Sequence, residues 1–235
     1  MKFEAVAEAV EGVPFITDEN ARYLYDLVLR ERLERPLELG FAHGVGSCYV
    51  AAALDELGED GHLTTVDLLS AREWQQPSIE ELLDRIGLRD RVTIVREHTG
   101  YNWFLHREID GRSDGGVCRP HFDFCIIDGP KNWTIDGAAF FMVDKLLTPG
   151  AIVVFDDVDW TYHWAAGHSD ETDGVVHADL SDEELRTPQI RAVAELLVMQ
   201  HPAYGDFVFT DGDWFLARKS PDGSAAPRTV RIEYI

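Results

Sequence analysis

The chain has 235 residues, of which 45% are hydrophobic and 27% charged, and 43 acidic residues against 21 lysines and arginines give a formal net charge of −22. This length suits one α/β domain with a sizeable core, so we expect a single domain over residues 1–235. The negative charge disfavours a nucleic-acid partner, which needs clustered Lys and Arg, and no apolar run approaches the roughly eighteen residues of a membrane span.

The chain start and the cysteines favour a cytoplasmic protein in a reducing compartment. Residues 1–5 lack a basic start followed by an apolar block, so we expect no signal peptide. The three cysteines show neither a CxxC nor a Cys/His spacing, which argues against a structural zinc site and against a disulfide scaffold. They are Cys48, Cys118 and Cys125.

Residues 1–35 are predicted to form an N-terminal arm and a helix. Residues 1–14 show little periodicity, and we expect either a mobile flap or a packed surface arm. Thr17 is predicted to cap an amphipathic helix, because it precedes a segment with apolar side chains at helical spacing. This helix would lead into the first strand of the sheet.

Residues 36–47 predict a short buried strand that turns sharply into a helix. Three glycines, Gly40, Gly44 and Gly46, mark the turn. Glycine tolerates positive φ and lets a ligand lie against bare backbone. The amides at the start of the following helix, which includes Ser47, can donate hydrogen bonds to that ligand.

Two acids flank this turn and indicate the kind of ligand. Glu38 lies on the strand before the first glycine, where it would repel a pyrophosphate but attract a ligand that carries an ammonium and a sulfonium. Asp67 ends the next predicted strand, residues 62–67, where a carboxylate can accept both hydroxyls of a ribose. The pattern therefore predicts a nucleotide-type cofactor site. A tight turn without a ligand is the alternative interpretation.

The turn and its acids resemble motif I and the second-strand acid of the class I methyltransferases that use S-adenosylmethionine. The resemblance implies an α/β fold that is Rossmann-like and doubly wound, with a mostly parallel seven-stranded sheet and a C-terminal antiparallel hairpin. Residues 207–217, with a turn at Asp211 and Gly212, suit that hairpin. The residues that the resemblance assigns to cofactor binding here are Glu38, Gly40, Gly44, Gly46, Ser47 and Asp67.

The loop after the third predicted strand, residues 91–96, would lie on the same edge of the sheet. His98 and Thr99 fall in this loop, and by position they would flank the adenine of the cofactor. An exposed loop histidine is the alternative for His98. Farther along, residues 110–120 are rich in glycine and charge and are predicted to be a surface insertion.

Two later apolar strands each end in carboxylates. Asp128 follows the first, and Asp156 and Asp157 follow the second. Neighbouring parallel strands that end together would bring these acids to one edge, alongside the cofactor. Because three converging carboxylates repel one another, a hard divalent cation such as Mg²⁺ is the natural partner. Capping of the following helix or loop by one or two of the acids is the alternative.

This region resembles the metal-dependent O-methyltransferases typified by catechol O-methyltransferase and, more distantly, the sugar O-methyltransferases of macrolide and aminocoumarin biosynthesis. The resemblance implies that Asp128, Asp156 and Asp157 bind the metal, that Asp128 also borders the cofactor, and that Lys131 is catalytic. Asp157 stands where catechol O-methyltransferase has Asn. Gly129 and Pro130 replace its His-Trp pair, so an aromatic substrate is not implied.

The predicted reaction is an SN2 methyl transfer to a hydroxyl of a small molecule, such as a secondary metabolite, a phenol or a sugar. Mg²⁺ would bind the substrate oxygen and lower its pKa. Lys131 is predicted to take the proton, with neutralisation of carboxylates or orientation of substrate as alternatives. His163 is a second candidate base, and a solvated loop histidine is its alternative.

Residues 158–187 are predicted to be a loop insertion on the substrate side. Trp160, Tyr162 and Trp164 could form a wall for a ring of the substrate, with dimer contact or core packing as alternatives. The acidic stretch 170–184 is predicted to be a solvated or mobile loop, or else a flexible lid.

Two other functions stay open from the sequence. One is a metal-independent small-molecule methyltransferase in which the acids bind substrate directly, and the other is a protein that binds the cofactor without turnover. A homodimer is expected only by analogy with the enzymes that the chain resembles.

Overall fold

The computed structural model describes residues 2–58, 60–224 and 228–235. Its helices are α1 (Lys2–Ala9), α2 (Asp18–Glu31), α3 (Val45–Leu57), α4 (Ile79–Arg85), α5 (Tyr101–Arg112), α6 (Trp133–Leu146), α7 (Tyr162–Ala165), α8 (Asp182–Arg186) and α9 (Gln189–Ala192). A π-helical turn, Val193–Val198, continues α9. Short 3₁₀ turns lie at Ser70–Glu73, Arg89–Arg91 and His177–Asp179. In the described ranges no helix combines the length and the apolar character that crossing a bilayer requires.

The strands are β1 (Pro36–Leu39), β2 (Leu63–Leu68), β3 (Val92–Glu97), β4 (Ser113–Asp114), β5 (Val117–Cys118), β6 (Phe122–Ile127), β7 (Leu147–Phe155), β8 (Glu171–Thr172), β9 (Val175–Val176), β10 (Tyr204–Thr210), β11 (Phe215–Lys219) and β12 (Val230–Glu233). Eight of them form one sheet in the order β12-β10-β11-β7-β6-β1-β2-β3. The strands from β3 to β7 in this order are parallel, and β11 is antiparallel to both of its neighbours.

This topology confirms the predicted fold class, an α/β Rossmann-like sheet that is mostly parallel and carries a C-terminal antiparallel hairpin. The hairpin consists of β10 and β11. The sheet has one strand more than the predicted seven, because β12 pairs with the outer edge of β10. Three of the four residues of β12 are exposed, so its sequence lacks the buried alternation that predicts a strand.

Helices cover both faces of the sheet, and the alternation of side chains along each strand divides the core in two. On β6, Phe124 and Ile126 face the layer of α1 to α4, whereas Cys125 and Ile127 face the layer of α5, α6 and α9. Each strand of the centre is therefore apolar on both faces, which is typical of a buried parallel sheet. Glu38 is an exception on β1, since it is a buried acid.

The N-terminal residues pack against helix α3. Of the two alternatives for residues 1–14, the packed arm describes α1, which buries Phe3 and Val6. Phe3 contacts Tyr49 of α3 with ring centroids 4.8 Å apart. Thr17 caps α2 as predicted, because its side chain accepts a hydrogen bond of 3.1 Å from the amide of Asn20.

Both predicted insertions contain regular structure. In residues 110–120, α5 continues to Arg112 and the small hairpin β4–β5 follows. In residues 158–187 the chain forms α7, the hairpin β8–β9 and α8. The acidic stretch 170–184 is thus not a plain loop, and α8 begins with a capping box in which Ser181 and Glu184 bond reciprocally.

Candidate active site

The first strand meets the fourth parallel strand of the fold at a point where only glycine fits. Gly40 follows β1 with φ of 93°, and a Cβ at this position would lie 1.9 Å from the carbonyl oxygen of Asp128. The ends of β1 and β6 can therefore approach closely enough to place Asp128 beside the glycine turn. Gly44 precedes α3, and Gly46 lies in its first turn, where a Cβ would approach Glu38 Oε1 to 3.0 Å.

Glu38 lies at the bottom of this turn as a buried carboxyl group. It accepts hydrogen bonds from the hydroxyls of Ser47 and of Thr65, the latter at 2.6 Å. Burial raises the pKa of Glu38 to about 7 although the two hydroxyls favour the charged form. The nearby carboxylates of Asp128 and Asp67 raise the pKa further. A cationic ligand next to Glu38 would therefore lie beside a carboxyl group that ionises near neutral pH.

Asp67, near the end of β2, stabilises the glycine turn through hydrogen bonds to its amides. Its carboxylate accepts hydrogen bonds from the amide of Ala42 at 2.9 Å, from the amide of Phe41 at 3.3 Å and from Gln75 Nε2 at 3.1 Å. Burial raises the pKa of Asp67 to about 6 despite bonds to backbone amides. A ribose contact, as predicted, would use the remaining acceptor capacity of this carboxylate.

Two clefts open from Gly40 along the carboxyl edge of the sheet. One, the Asp67 cleft, is lined by Gly40, Asp67, Leu68, Thr99, Gly100, Tyr101, Asn102, Gly129, Pro130, Ile135 and Asp173. The other, the Glu38 cleft, is lined by Pro14, Phe15, Ile16, Leu24, Glu38, Gly40, Phe41, Ala42, His43, Val45, Gly46, Ile126, Asp128, Asp156 and Trp214. An elongated ligand that crosses Gly40 can occupy both clefts.

The strand register brings the three predicted metal ligands together. Ile127 of β6 pairs with Phe155 of β7, so the next residues, Asp128 and Asp156, leave the sheet side by side. Asp157 follows with φ of 53°. Oxygen atoms of these three carboxylates lie within 4.8 Å of one another.

Lys131 is the cation that the chain itself places among these acids. Its side chain is buried, forms an ion pair with Asp128 and lies 3.2 Å from Asp157 Oδ2. Burial alone would lower the pKa of Lys131, but the combined carboxylates raise it well above its usual range. With these partners Lys131 is a protonated counter-ion, and acceptance of a proton would require a further cation on the carboxylates.

The acid cluster fits a hard divalent cation. Burial raises the pKa of Asp128 and of Asp156, and the carboxylate of Asp157 adds to the rise in both. Three carboxylates face one ammonium, so the cluster retains an excess of negative charge that a bound cation would neutralise. Oxygen donors on two adjacent strand ends, open towards a cleft, match the donor set that Mg²⁺ prefers.

A second layer of polar residues positions the loop that carries Lys131. Tyr101 donates a hydrogen bond to Asp136, which accepts a further bond of 2.6 Å from the amide of Asn132. Asn132 caps α6 by accepting from the amides of its first turn. A Cβ on Gly129 would lie 2.1 Å from the hydroxyl of Tyr101, so the ring of Tyr101 explains why this position is glycine.

The remaining sequence-predicted residues lie at different distances from the clefts. Thr99 lines the Asp67 cleft, whereas His98 is exposed and lines neither cleft. His163 is exposed on α7, where its Nε2 lies 3.4 Å from Arg186 Nη1. Its catalytic role stays a prediction. Tyr162 is buried and donates to the carbonyl of Pro130, so its ring packs in the core.

The aromatic side chains at the mouth of the Glu38 cleft do not belong to the predicted wall of residues 160–164. Phe15, 65% exposed and with φ of 85°, stacks on His43 with ring centroids 5.6 Å apart. Trp74 meets the same histidine edge-on at 5.4 Å. Sequence reasoning missed this group and also Gln75, Tyr101, Asp136 and Asp173. Among these residues only Asp173 carries a sequence signal, the Asp-Gly pair of a tight turn.

Comparison with known proteins agrees with this geometry. The profile of a family described as "Methyltransferase domain" matches residues 37–158, which include the glycine turn and all three clustered acids. No curated protein sequence matches the chain.

Solved structures share the fold at low sequence identity. An O-methyltransferase from Bacillus cereus in complex with SAH is 18% identical, with a TM-score of 0.62 over 93% of this chain and 90% of that chain. TomG from Streptomyces achromogenes, an O-methyltransferase involved in tomaymycin synthesis and solved with SAM, is 19% identical, with a TM-score of 0.62 over 93% and 89%. SAH-bound PaMTH1 from Podospora anserina is 14% identical, with a TM-score of 0.62 over 93% and 87%.

Proposed function

The chain belongs to the methyltransferase-domain family, and we propose that it transfers a methyl group from S-adenosylmethionine to a hydroxyl of a small molecule with the help of Mg²⁺. One observation carries the proposal: the carboxylates of Asp128, Asp156 and Asp157 converge beside a cleft that also contains Glu38. An edge with so many acids suits a cationic methyl donor and a divalent cation.

The two clefts would hold different halves of the cofactor. Glu38 would face the amino-acid half, because its carboxylate can pair with the ammonium once the group ionises. Asp67 would accept from the ribose, and the loop with Thr99 would border the adenine. Gly40 lines both clefts, so a ligand that spans them would pass over its backbone.

When bound, S-adenosylmethionine supplies an electrophilic methyl group, and Mg²⁺ supplies a charge that lowers the pKa of an acceptor hydroxyl. The chain's own residues would hold and orient these partners. Asp128, Asp156 and Asp157 would bind the metal, and Lys131 would adjust the charge of that cluster. Alignment of sulfur, methyl and oxygen would be the main contribution of the protein to the rate.

The test combines binding and turnover. Isothermal titration of S-adenosylmethionine and S-adenosylhomocysteine in Mg²⁺ and in EDTA would be compared for the wild type, Asp156→Asn and the control Asp170→Asn, which changes an exposed acid. We expect cofactor binding in all three proteins and a Mg²⁺ heat that only Asp156→Asn abolishes. Transfer of a labelled methyl group to a panel of hydroxylated compounds would then identify the acceptor.

Three results would change the proposal. Transfer that is insensitive to EDTA would favour a metal-independent methyltransferase, in which the acids contact the substrate directly. Binding of cofactor without transfer to any acceptor class would favour a non-catalytic cofactor-binding protein. Failure of the wild type to bind either cofactor would refute the use of S-adenosylmethionine.

A further inference from the structure

The hairpin β8–β9 presents one acid at its tip. Glu171 pairs with Val176 and Thr172 pairs with Val175, which leaves Asp173 and Gly174 as the two central residues of the turn. Both have positive φ, 44° and 85°. This is the backbone of the tight hairpin turns that favour Asp-Gly, so the turn needs no distortion to hold Asp173 in place.

A chain of buried contacts fixes this hairpin to the floor of the Asp67 cleft. His177, directly after β9, is buried, and its Nε2 lies 2.8 Å from the hydroxyl of Thr172. The His177 ring packs edge-on against Tyr162 at 5.2 Å. Tyr162 in turn donates to the carbonyl of Pro130, which lines the cleft. The hairpin is therefore held against the cleft by packing and hydrogen bonds.

Asp173 lines the Asp67 cleft although it comes from the insertion 158–187. Gly174 lies over Leu68, since a Cβ on Gly174 would be 3.9 Å from a methyl carbon of that leucine. The charge of Asp173 also contributes to the raised pKa of Asp67, of which burial is the larger cause. Two carboxylates thus face one cleft from different elements of the fold.

The carboxylate of Asp173 has no partner of its own among residues 2–58, 60–224 and 228–235: no hydrogen bond or ion pair joins its side chain to another described residue. Lys131, a buried cation whose charge acts on Asp173, is engaged by Asp128 and Asp157. Asp173 is an exposed residue. An unpaired acceptor at the tip of an anchored hairpin is free to receive hydrogen bonds from a ligand in the cleft.

We propose that Asp173 binds the nucleoside half of the cofactor, accepting a hydrogen bond from a hydroxyl or amine of the adenosine across the cleft from Asp67. This inference rests on the proposed function and extends it, because it gives the insertion 158–187 a part in cofactor recognition. The adenosine offers two ribose hydroxyls and one exocyclic amine as donors. Asp67, whose carboxylate already accepts from two amides of the glycine turn, is not the sole acceptor for them.

The test uses the full chain and two ligands, S-adenosylhomocysteine and 5′-methylthioadenosine, which lacks the amino-acid half. Asp173→Asn removes the charge, and Asn tolerates positive φ, so the turn is kept. Glu171→Gln is the matched control, since it removes the same charge from an exposed acid of the same hairpin. We expect Asp173→Asn to lower the affinity for both ligands about tenfold and Glu171→Gln to change it less than about twofold.

Two further measurements make the result specific. Asp173→Gly, which also accepts positive φ, removes the acceptor oxygen altogether, whereas the amide oxygen of Asn can still accept a hydrogen bond. The third ligand, 5′-methylthioinosine, lacks the exocyclic amine. If Asp173→Asn also weakens its binding, the contact is to a hydroxyl; if it does not, the contact is to the amine. Both results support the inference.

The inference and the proposed function fail in different ways. Tight binding of both ligands by Asp173→Asn and by Asp173→Gly, with a wild type that binds S-adenosylhomocysteine, would overturn the role of Asp173 alone. Absence of binding by the wild type would overturn the proposed function and this inference with it.

Discussion

Glu38 predicts that cofactor binding depends on pH. In the free protein, burial raises the pKa of Glu38 from 4.5 to about 7. An ammonium beside the carboxylate would return the pKa towards its ordinary value, so binding releases a proton wherever free Glu38 is protonated. The raised pKa favours the protonated form below pH 7, and affinity for the cation is therefore present above pH 7 and falls as the pH drops through that value.

The size of the effect follows from the shift. The rise in the pKa of Glu38 from 4.5 to about 7 corresponds to about 3 kcal/mol at the limit of low pH. Between pH 8 and pH 6 the protonated fraction of a group with a pKa of about 7 rises from about one tenth to about nine tenths, which weakens binding about tenfold. Asp67, with a pKa of about 6, would add a factor of about two at pH 6.

The assay is isothermal titration of S-adenosylhomocysteine at pH 6, 7 and 8 with the wild type and with Glu38→Gln. The variant should bind weakly at every pH and lose most of the pH dependence. For the wild type, 5′-methylthioadenosine, which carries no ammonium, should show only the small contribution of Asp67. A wild-type affinity that is constant from pH 6 to pH 8, or an unchanged pH profile in Glu38→Gln, would refute the reasoning.

Three further predictions concern the metal cluster and the loop beside it. Asp156→Asn should abolish both the Mg²⁺ heat and methyl transfer while S-adenosylhomocysteine still binds; transfer at the wild-type rate would contradict a metal role. Lys131→Met should lower the free energy of unfolding in EDTA by about 1–2 kcal/mol, because the partly exposed carboxylates of Asp128 and Asp157 lose their buried counter-ion, and Mg²⁺ should restore part of it in denaturant titrations. Gly129→Ala should destabilise by about 2–4 kcal/mol, since its Cβ would lie 2.1 Å from the Tyr101 hydroxyl, whereas Gly111→Ala, with open space around it, should not destabilise. Equal melting temperatures of the two glycine variants would contradict the packing described for Tyr101.

The acid cluster could be predicted from the sequence because it depends on the fold class alone. Asp128 and Asp156 each follow an apolar strand, and in a parallel sheet the ends of neighbouring strands share one edge. The register of Ile127 against Phe155 then places the acids side by side. The glycine turn and Asp67 follow from the same rule, and so the predicted site lies where two clefts meet.

Side-chain partners could not be predicted in the same way, because they depend on which elements face each other across the sheet. The contact of Gly129 with Tyr101 joins residues that are 28 positions apart, and neither position shows a periodic pattern that signals it. The protonated state of Lys131 likewise follows from the distance to Asp157, which only the structure supplies. The sequence therefore locates the lysine but leaves its chemistry open.

Asp173 shows most clearly where sequence reasoning ends. The acidic stretch 170–184 has the composition of a solvated loop, and charge content alone predicts exposure. The Asp-Gly pair does signal a tight turn, but a turn motif carries no information on what the tip faces. That direction is set by buried His177 and by Tyr162, whose hydroxyl bonds to Pro130 beside the cleft. Asp173 thus becomes a candidate ligand-binding residue through His177 and Tyr162, the two side chains that anchor its hairpin.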